Sequence, residues 1–356
     1  MGISSVKIVG SGLIGTSIGL ALSSKNIHVL MVDADASAAS LAQSLVDPDR
    51  LFIAGHSFDV VVIATPPSAF TEVLSREVVL NPLSTFVDIF SIKTKPEVEV
   101  EAFPGLPQRF VGTHPMAGRE VSGAQSARGD IFVGRTWILC PTNSTSEQSQ
   151  KMATELILLC QGLPLVMSAA EHDRAMALVS HAPQVIASVL SAQLIGGEVT
   201  WRNLIGQGFK DLTRIADSDA SFWKEILSEN SENVSKVIKE IRLELEKVEV
   251  DIVNPEKAQR VIERGNSGRE LIPGKHGSSS RTYIYLHIVI DDRAGQLASI
   301  FNDCASADVN IEDVSIEHTP GQNTGLVTLS ILEMNHAEFL RDFLISKGWK
   351  VHLTSK

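Results

Sequence analysis

Gly10, Gly12 and Gly15 stand in GxGxxG spacing within VKIVGSGLIGTSIGLAL, after an apolar run of strand length and at the opening of a helical pattern. Each glycine meets a separate steric demand of a bound pyrophosphate. Gly10 permits a tight turn, Gly12 lets the backbone approach the phosphates, and Gly15 lets helix and strand pack closely, while the helix N-terminus faces the anionic charge. Leu13 and Ile14 between the glycines, and Thr65 after the third apolar run, complete the expected contacts. Asp33 ends the next apolar run, where a carboxylate can accept both ribose hydroxyls of an adenosine half. A 2′-phosphate there would meet Asp33 and Asp35 with no arginine in VDADAS to neutralise it, so the pattern predicts NAD rather than NADP.

A second set of residues could do the chemistry that such a cofactor needs. In open parallel sheets ligands gather beyond the carboxyl ends of the strands. Ser91 follows the run TFVDIF there, and His114 follows RFVGT and precedes Pro115. An imidazole with an ordinary pKa near ~6.5 can take the proton of an alcohol while hydride leaves the carbon, and no metal is needed for that step. Arg214 offers a planar fork that pairs bidentately with a carboxylate, which lysine cannot do. A lone histidine or arginine is more often an ordinary loop or surface residue, so the neighbours must decide.

The elements that would position these residues are legible. Apolar runs at 6–10, 28–33, 59–64, 85–89, 109–113 and 136–140 alternate with helical patterns, the signature of a helix-covered parallel sheet. From about 171 to 250 the pattern is helical, with 182–194 apolar on most faces and 222–248 long and charged on one side. Residues 265–281, GNSGRELIPGKHGSSSR, show no periodicity and read as a linker. A βαββαβ order follows, with strands at 283–290, 309–317, 325–332 and 349–353 and helices at 295–305 and 336–346, which is the ferredoxin-like arrangement. The predicted organisation is an α/β Rossmann-like domain at 1–168, an all-α domain at 169–264, a linker at 265–281 and an α+β unit at 282–356.

Composition narrows the function classes. The 356 residues exceed one hydrophobic core, and 44% hydrophobic with 21% charged residues is ordinary for a soluble protein. No apolar run is read as approaching the ~20 residues of a membrane span, and no secretory signal is visible, so a cytoplasmic protein is expected. A net charge of −11 without a basic stripe argues against nucleic acid. Cys140, Cys160 and Cys304 lack metal or disulfide spacing and read as buried thiols. So much apolar helix in the middle domain predicts a homodimer.

The stretch GTHPMAGRE, then SG and FVGRTWILCP, together with EHDRAMALVSHAP at 171–183 and GFKDLTRIADSDASFWKEILSEN at 208–230, resembles the prephenate and arogenate dehydrogenases of tyrosine biosynthesis. The resemblance spans essentially the whole chain, and IPGKHG is similar to actinobacterial members. It implies an NAD-dependent oxidative decarboxylation of prephenate to 4-hydroxyphenylpyruvate, or of arogenate to tyrosine. It also implies that His114 is the catalytic base, that Ser91 of SIK hydrogen-bonds the histidine and the reacting hydroxyl, that Arg214 of TRIA holds a substrate carboxylate and that Ser180 of SHAP lines the pocket. Where many prephenate enzymes read SHxPH this chain has Gln184, a neutral amide, which leaves substrate preference open. Arg119, Glu120, Lys210 and Asp211 lie inside the same motifs, as a gating network or as plain surface charges.

The segment DDRAGQLASIF followed by NIEDVSIEH resembles an ACT domain, a module that binds amino acids. Gly295 would open its first helix with amides for a ligand carboxylate, Asn310 would meet the amine, and L-tyrosine is the implied effector. A purely structural or dimerising module is the alternative. Two further readings compete for the whole chain. A 3-hydroxyacid dehydrogenase of the same broad superfamily would not require GTHPMAG, and a catalytically silent sensor of NAD and amino acids would not require Ser91, His114 and Arg214 together.

Overall fold

The computed structural model describes residues 2–47, 57–118, 123–272, 283–318 and 324–355. The chain divides into two units, Met1–Leu245 and Glu246–Lys356. The first begins with β1 (Ser5–Val9), α1 (Leu13–Ser23), β2 (His28–Val32), α2 (Ala36–Val46), β3 (Val60–Ile63), α3 (Phe70–Leu80), β4 (Thr85–Asp88), α4 (Thr94–Val100), β5 (Phe110–Pro115), β6 (Thr136–Cys140), α5 (Glu147–Leu159) and β7 (Leu163–Val166). All six predicted strands form. They stand in one sheet of order β2-β1-β3-β4-β5-β6-β7.

Two features depart from the expected parallel sheet. Strand β6 runs antiparallel to β5, with His114 opposite Ile138, and β7 runs parallel to β6. A parallel return needs a crossover of a dozen or more residues, usually a helix. The described part of the β5–β6 connection holds only the 3₁₀ turn Ala124–Ser126. The unpredicted β7 is short, carries Pro164 and is exposed at all four residues, so no burial pattern announces it.

The central strands are buried on both faces, which explains their unbroken apolar runs. Val6, Ile8, Val62 and Val111 pack with Ile18, Leu22 and Leu156 on one side. Val9, Val61, Ile63 and Phe86 pack with Phe70, Leu74 and Ile226 on the other. This places the C-terminal ends of β1, β4 and β5 along one rim.

Next come α6 (Ala169–Met176), a π-helical turn at Ala177–His181 and α7 (Ala182–Ala192), which together form one helix, Ala169–Ala192. By length and composition that helix could cross a membrane, which corrects the reading that no apolar run approaches a span. Its inward stripe nevertheless carries His172, Asp173, His181 and Gln184, all buried. Single π turns of this kind concentrate at functional sites.

The unit continues with α8 (Gln207–Thr213), α9 (Ala220–Glu229) and α10 (Ser231–Asp251) as far as Leu245. The helical pattern at 222–248 is therefore broken at Asn230. The Asn230 side chain is engaged with the Asp173 carbonyl oxygen at 2.7 Å and with His181, which marks the break as a junction serving the site.

In the second unit α11 spans Pro255–Glu270, so the first six residues of the expected linker are helical. Asn254 caps the helix by accepting from Glu256 N at 3.0 Å and Lys257 N at 3.1 Å, with Pro255 at the first helical position. A well-started helix tolerates two exposed glycines at ~1 kcal/mol each. Residues 273–281 of that segment lie outside the described residues, as do Arg119 and Glu120.

The rest is β8 (Ile284–Asp291), α12 (Gln296–Ser306), β9 (Asp313–His318), β10 (Thr324–Ile331), α13 (Met334–Ser346) and β11 (Lys350–Ser355), an antiparallel sheet of order β11-β8-β10-β9. This is the expected ferredoxin-like order. Leu286, Ile288, Val327 and Leu329 face Ile300, Cys304, Leu340 and Leu344 in its core. Gly295 does open α12, in the left-handed conformation at φ 89°. Asn310, expected on a strand, precedes β9 and donates to Glu312 Oε1 at 2.6 Å.

Candidate active site

The glycine turn joins β1 to α1 with no room to spare. Gly10 has φ 115°, and a Cβ there would lie 2.3 Å from the Ala64 carbonyl oxygen. A Cβ on Gly15 would lie 2.2 Å from the Gly10 oxygen, whereas one on Gly12 would meet nothing within 4 Å. Gly12 thus lines open space, the side from which a phosphate can approach. Thr16 N is the first amide bonded within α1, to Gly12 O at 3.0 Å, which leaves those of Leu13, Ile14 and Gly15 for an anion.

Asp33, just past β2, accepts from Ser11 N at 2.6 Å and from Asp35 N at 3.0 Å, so its carboxylate is held against the glycine turn. Asp35 caps α2, and its hydrogen bonds from Ser37 and Ala38 push its carboxyl below the usual range. The hydroxyls of Ser11 and Thr65 are buried without a hydrogen-bond partner. Buried hydroxyls rarely stay unpaired, and a nucleotide in the crevice would supply acceptors for them. These residues fit NAD.

His114 sits at the end of β5, partly buried. Its Nδ1 lies 2.9 Å from His172 Nε2, and His172 Nδ1 lies 2.8 Å from Asp173 Oδ1. Asp173 also accepts the backbone amides of Lys93 at 2.8 Å and Thr94 at 2.9 Å, which places its charge at the N-terminus of α4. Beneath them Lys93 pairs with Asp88, and neither side chain is exposed. Asp88 Oδ1 further accepts from Thr113 N at 2.7 Å. Asn230 donates to His181 Nδ1 at 3.1 Å, and His181 Nε2 is buried without a partner.

The electrostatics favour neutral imidazoles. Burial, then the charges of His172, Lys93 and His181, hold His114 well below the ordinary histidine range. Burial likewise lowers His172, against its hydrogen bond to Asp173. His181 falls to about 4 for the same first reason. Burial alone would raise Asp173, but hydrogen bonds from His172, Thr94 and Lys93 bring it down to about 2. An ionised carboxylate thus backs a neutral imidazole pair whose outer member can accept a proton.

Comparison with known proteins gives this geometry a family. The model for the prephenate dehydrogenase nucleotide-binding domain matches residues 18–163, and that for the prephenate dehydrogenase dimerization domain matches residues 168–263. The chain belongs to the prephenate dehydrogenase family. A probable prephenate dehydrogenase from Streptomyces niveus is 28% identical over 96% of this chain and 98% of its own length. The prephenate dehydrogenase of Bacillus subtilis is 27% identical over 91% of each. A crystal structure of the A. aeolicus prephenate dehydrogenase, in complex with hydroxyphenyl propionate and NAD+, aligns with a TM-score of 0.68 at 28% identity, covering 76% of this chain and 99% of that one.

Other residues expected from the family motifs are placed unevenly. Ser91 lies half-buried past β4, and among the described residues no hydrogen bond joins it to His114, whose Nδ1 meets His172 instead. Ser180 is half-buried in the π turn, and Gln184 is buried on the first turn of α7. Arg214 opens the 3₁₀ turn Arg214–Ala216, which packs against α7, and its side chain is exposed. Lys210 and Asp211 are exposed on α8. The sequence reading missed His172, Asp173, His181, Asn230, Lys93 and Asp88. One signal was available: Ala169, His172, Asp173, Met176 and Ala177 follow helical spacing, so polar groups stand on the stripe that faces inward.

Proposed function

We propose that this chain oxidises prephenate with NAD and releases carbon dioxide to give 4-hydroxyphenylpyruvate, with His114 as the base. The observation that carries this reading is an imidazole at the rim of the sheet that holds the dinucleotide turn, its Nδ1 2.9 Å from His172 Nε2 and its pKa held by burial well below the ordinary histidine range, which favours the neutral form a base needs. The glycine turn and Asp33 would hold NAD, which when bound would supply the hydride acceptor. His114 accepts the hydroxyl proton, and once the ring carbon is oxidised, loss of the ring carboxylate gives an aromatic product, which makes the reaction practically irreversible. Ser91 orients the hydroxyl, Arg214 holds a substrate carboxylate, and Ser180 and Gln184 line the pocket.

A neutral amide at Gln184 can accept from an ammonium as well as donate to a carboxylate, which favours arogenate as the second substrate reading. NADH formation with each substrate distinguishes the two. His114→Asn is expected to lower turnover by ~10²–10⁴-fold while NAD affinity is kept, since general-base catalysis contributes about that factor. Unchanged turnover would remove His114 from the role.

The protein works in the cytoplasm as a homodimer built on its helical segment. Leu178, Val179, Ile186, Val189, Trp201 and Leu204 are exposed there, and the matched family domain is a dimerization domain. Light scattering on the purified protein tests this. The C-terminal unit binds L-tyrosine as a feedback inhibitor through the amides at Gly295, with Asn310 meeting the amine. Calorimetry without tyrosine binding, together with unaltered activity, would reduce the unit to a structural module.

A further inference from the structure

We infer that His172 and Asp173 set the tautomer of His114, holding its proton on Nδ1 and presenting Nε2 as the bare nitrogen that faces the reacting hydroxyl. This rests on the reading of His114 as the base and adds two positioning residues behind it.

Asp173 accepts Lys93 N on one oxygen and Thr94 N on the other, and these bonds, with that to His172, stabilise the ionised carboxylate and bring its pKa down to about 2. An ionised carboxylate only accepts, and His172 Nδ1, 2.8 Å from Asp173 Oδ1, must therefore be the N–H. A neutral imidazole with its hydrogen on Nδ1 has its lone pair on Nε2. That nitrogen lies 2.9 Å from His114 Nδ1, which in turn must be an N–H. His114 then keeps its lone pair on Nε2.

The opposite tautomer of His114 would require a doubly protonated His172. Burial next to Lys93 opposes that second charge. The neighbouring contacts agree. Asn230 Nδ2 faces the Asp173 carbonyl oxygen, which only a donor can do, so the same NH₂ donates to His181 Nδ1 and fixes His181 as the Nε2–H form. Thus, among the described residues of the cluster, Lys93 is the only cation, and Asp88 pairs with it.

Wild-type protein labelled with ¹⁵N-histidine tests the assignment directly. Two-bond ¹H–¹⁵N spectra at pH 7.5, with the His114 signals identified by their loss in His114→Asn, should show His114 protonated on Nδ1. A proton on His114 Nε2, or a doubly protonated His172, overturns the inference.

Kinetics supply the second arm. His172→Leu should lower kcat by ~10²-fold or more, the order lost when a base is left in the wrong tautomer, with KM for NAD changed by less than about threefold. His172→Gln, whose Oε1 can accept from His114 Nδ1, should stay within about tenfold of wild type. Equal losses in the two variants, tracking only their melting temperatures, would mean that His172 merely fills space. If His114→Asn retains turnover, the base assignment fails even where the spectra still show the tautomer, so the two claims are separable.

Discussion

Lys93→Met isolates the charge buried beneath the histidines. In the wild type Lys93 and Asp88 form an ion pair with neither side chain exposed, and burial already pushes the Asp88 carboxyl up against the pull of Lys93. Removing the ammonium leaves the Asp88 carboxylate with the Thr113 backbone amide, at 2.7 Å, as its remaining donor among the described residues. Breaking a buried pair from one side costs about 3–5 kcal/mol, because the survivor keeps its desolvation penalty. At ~2–4 °C per kcal/mol for a unit of this size, the melting point should fall by roughly 6–20 °C. Asp88→Leu/Lys93→Met removes both charges and should recover to within ~2 kcal/mol of wild type, since well-packed apolar replacements of such pairs are often neutral.

Urea titration followed by tryptophan fluorescence suits the measurement, because Trp137 is buried and donates to Thr113 Oγ1 at 3.0 Å, one residue from the pair. A catalytic readout accompanies it. As the proposed base, His114 must be neutral to act, so the acid limb of kcat/KM is expected to follow its pKa, and Lys93 is one of the charges that lowers that pKa. Without Lys93 the limb should move to higher pH. Equal destabilisation of the single and double variants, or a limb that moves to lower pH, would refute the argument.

Asp33→Asn should raise KM for NAD by ~10–100-fold, because a hydrogen bond to a charged group is worth about 1.5–3 kcal/mol; an unchanged KM would take the ribose away from Asp33. Gly12→Ala should fold with the wild-type melting point yet bind NAD poorly in a fluorescence titration, whereas Gly10→Ala should not fold stably, since its Cβ would overlap the Ala64 oxygen. Folding stability should decline as pH drops from ~6.5 to ~4. The depressed His181, at about 4, leaves the unfolded chain binding more protons in that window, on the order of 2 kcal/mol at pH 5, which urea midpoints at pH 7.5, 6 and 5 would show. Burial raises the thiols of Cys140 and Cys160 to about 12 and that of Cys304 to about 11, so Ellman's reagent should label them only after unfolding.

Local rules made the dinucleotide half legible. A glycine spacing and a terminal acid act within one βαβ unit, and Gly10, Gly15 and Asp33 sit where those rules place them. Alternation along β8, buried then half-buried residue by residue, likewise announces a sheet with one covered face. The parts that were not legible depend on distant pairings. The reversal of β6 accompanies a connection whose described residues carry no crossover helix, and β7 has neither length nor burial to mark it. Asp173 meets Lys93 across 80 residues and Asn230 meets Asp173 across 57, and no period in the sequence encodes such distances. The helical glycines Gly265 and Gly268 show the converse error, a composition read as linker that a distant cap at Asn254 overrides.

The arrangement around His114 also explains why a base would be placed on a structure this polar and this buried. An exposed imidazole would lose its proton-accepting form below about pH 6.5 and would sample both tautomers. Packing His114 against His172 keeps it neutral over a wider range, but burial alone leaves the tautomer unspecified. An acceptor-only group at a fixed distance removes that ambiguity, and Asp173 can be such a group because two α4 amides and the His172 N–H satisfy it without protonation. The histidines thereby gain direction without gaining charge. A variant that keeps the shape of the carboxylate but not its acceptor-only character, such as Asp173→Asn, should therefore keep its fold in circular dichroism and still lose kcat by ~10²-fold or more, as wrong-tautomer variants of histidine-based sites do. Retention of kcat in that variant would show that position, not protonation, is all the carboxylate supplies.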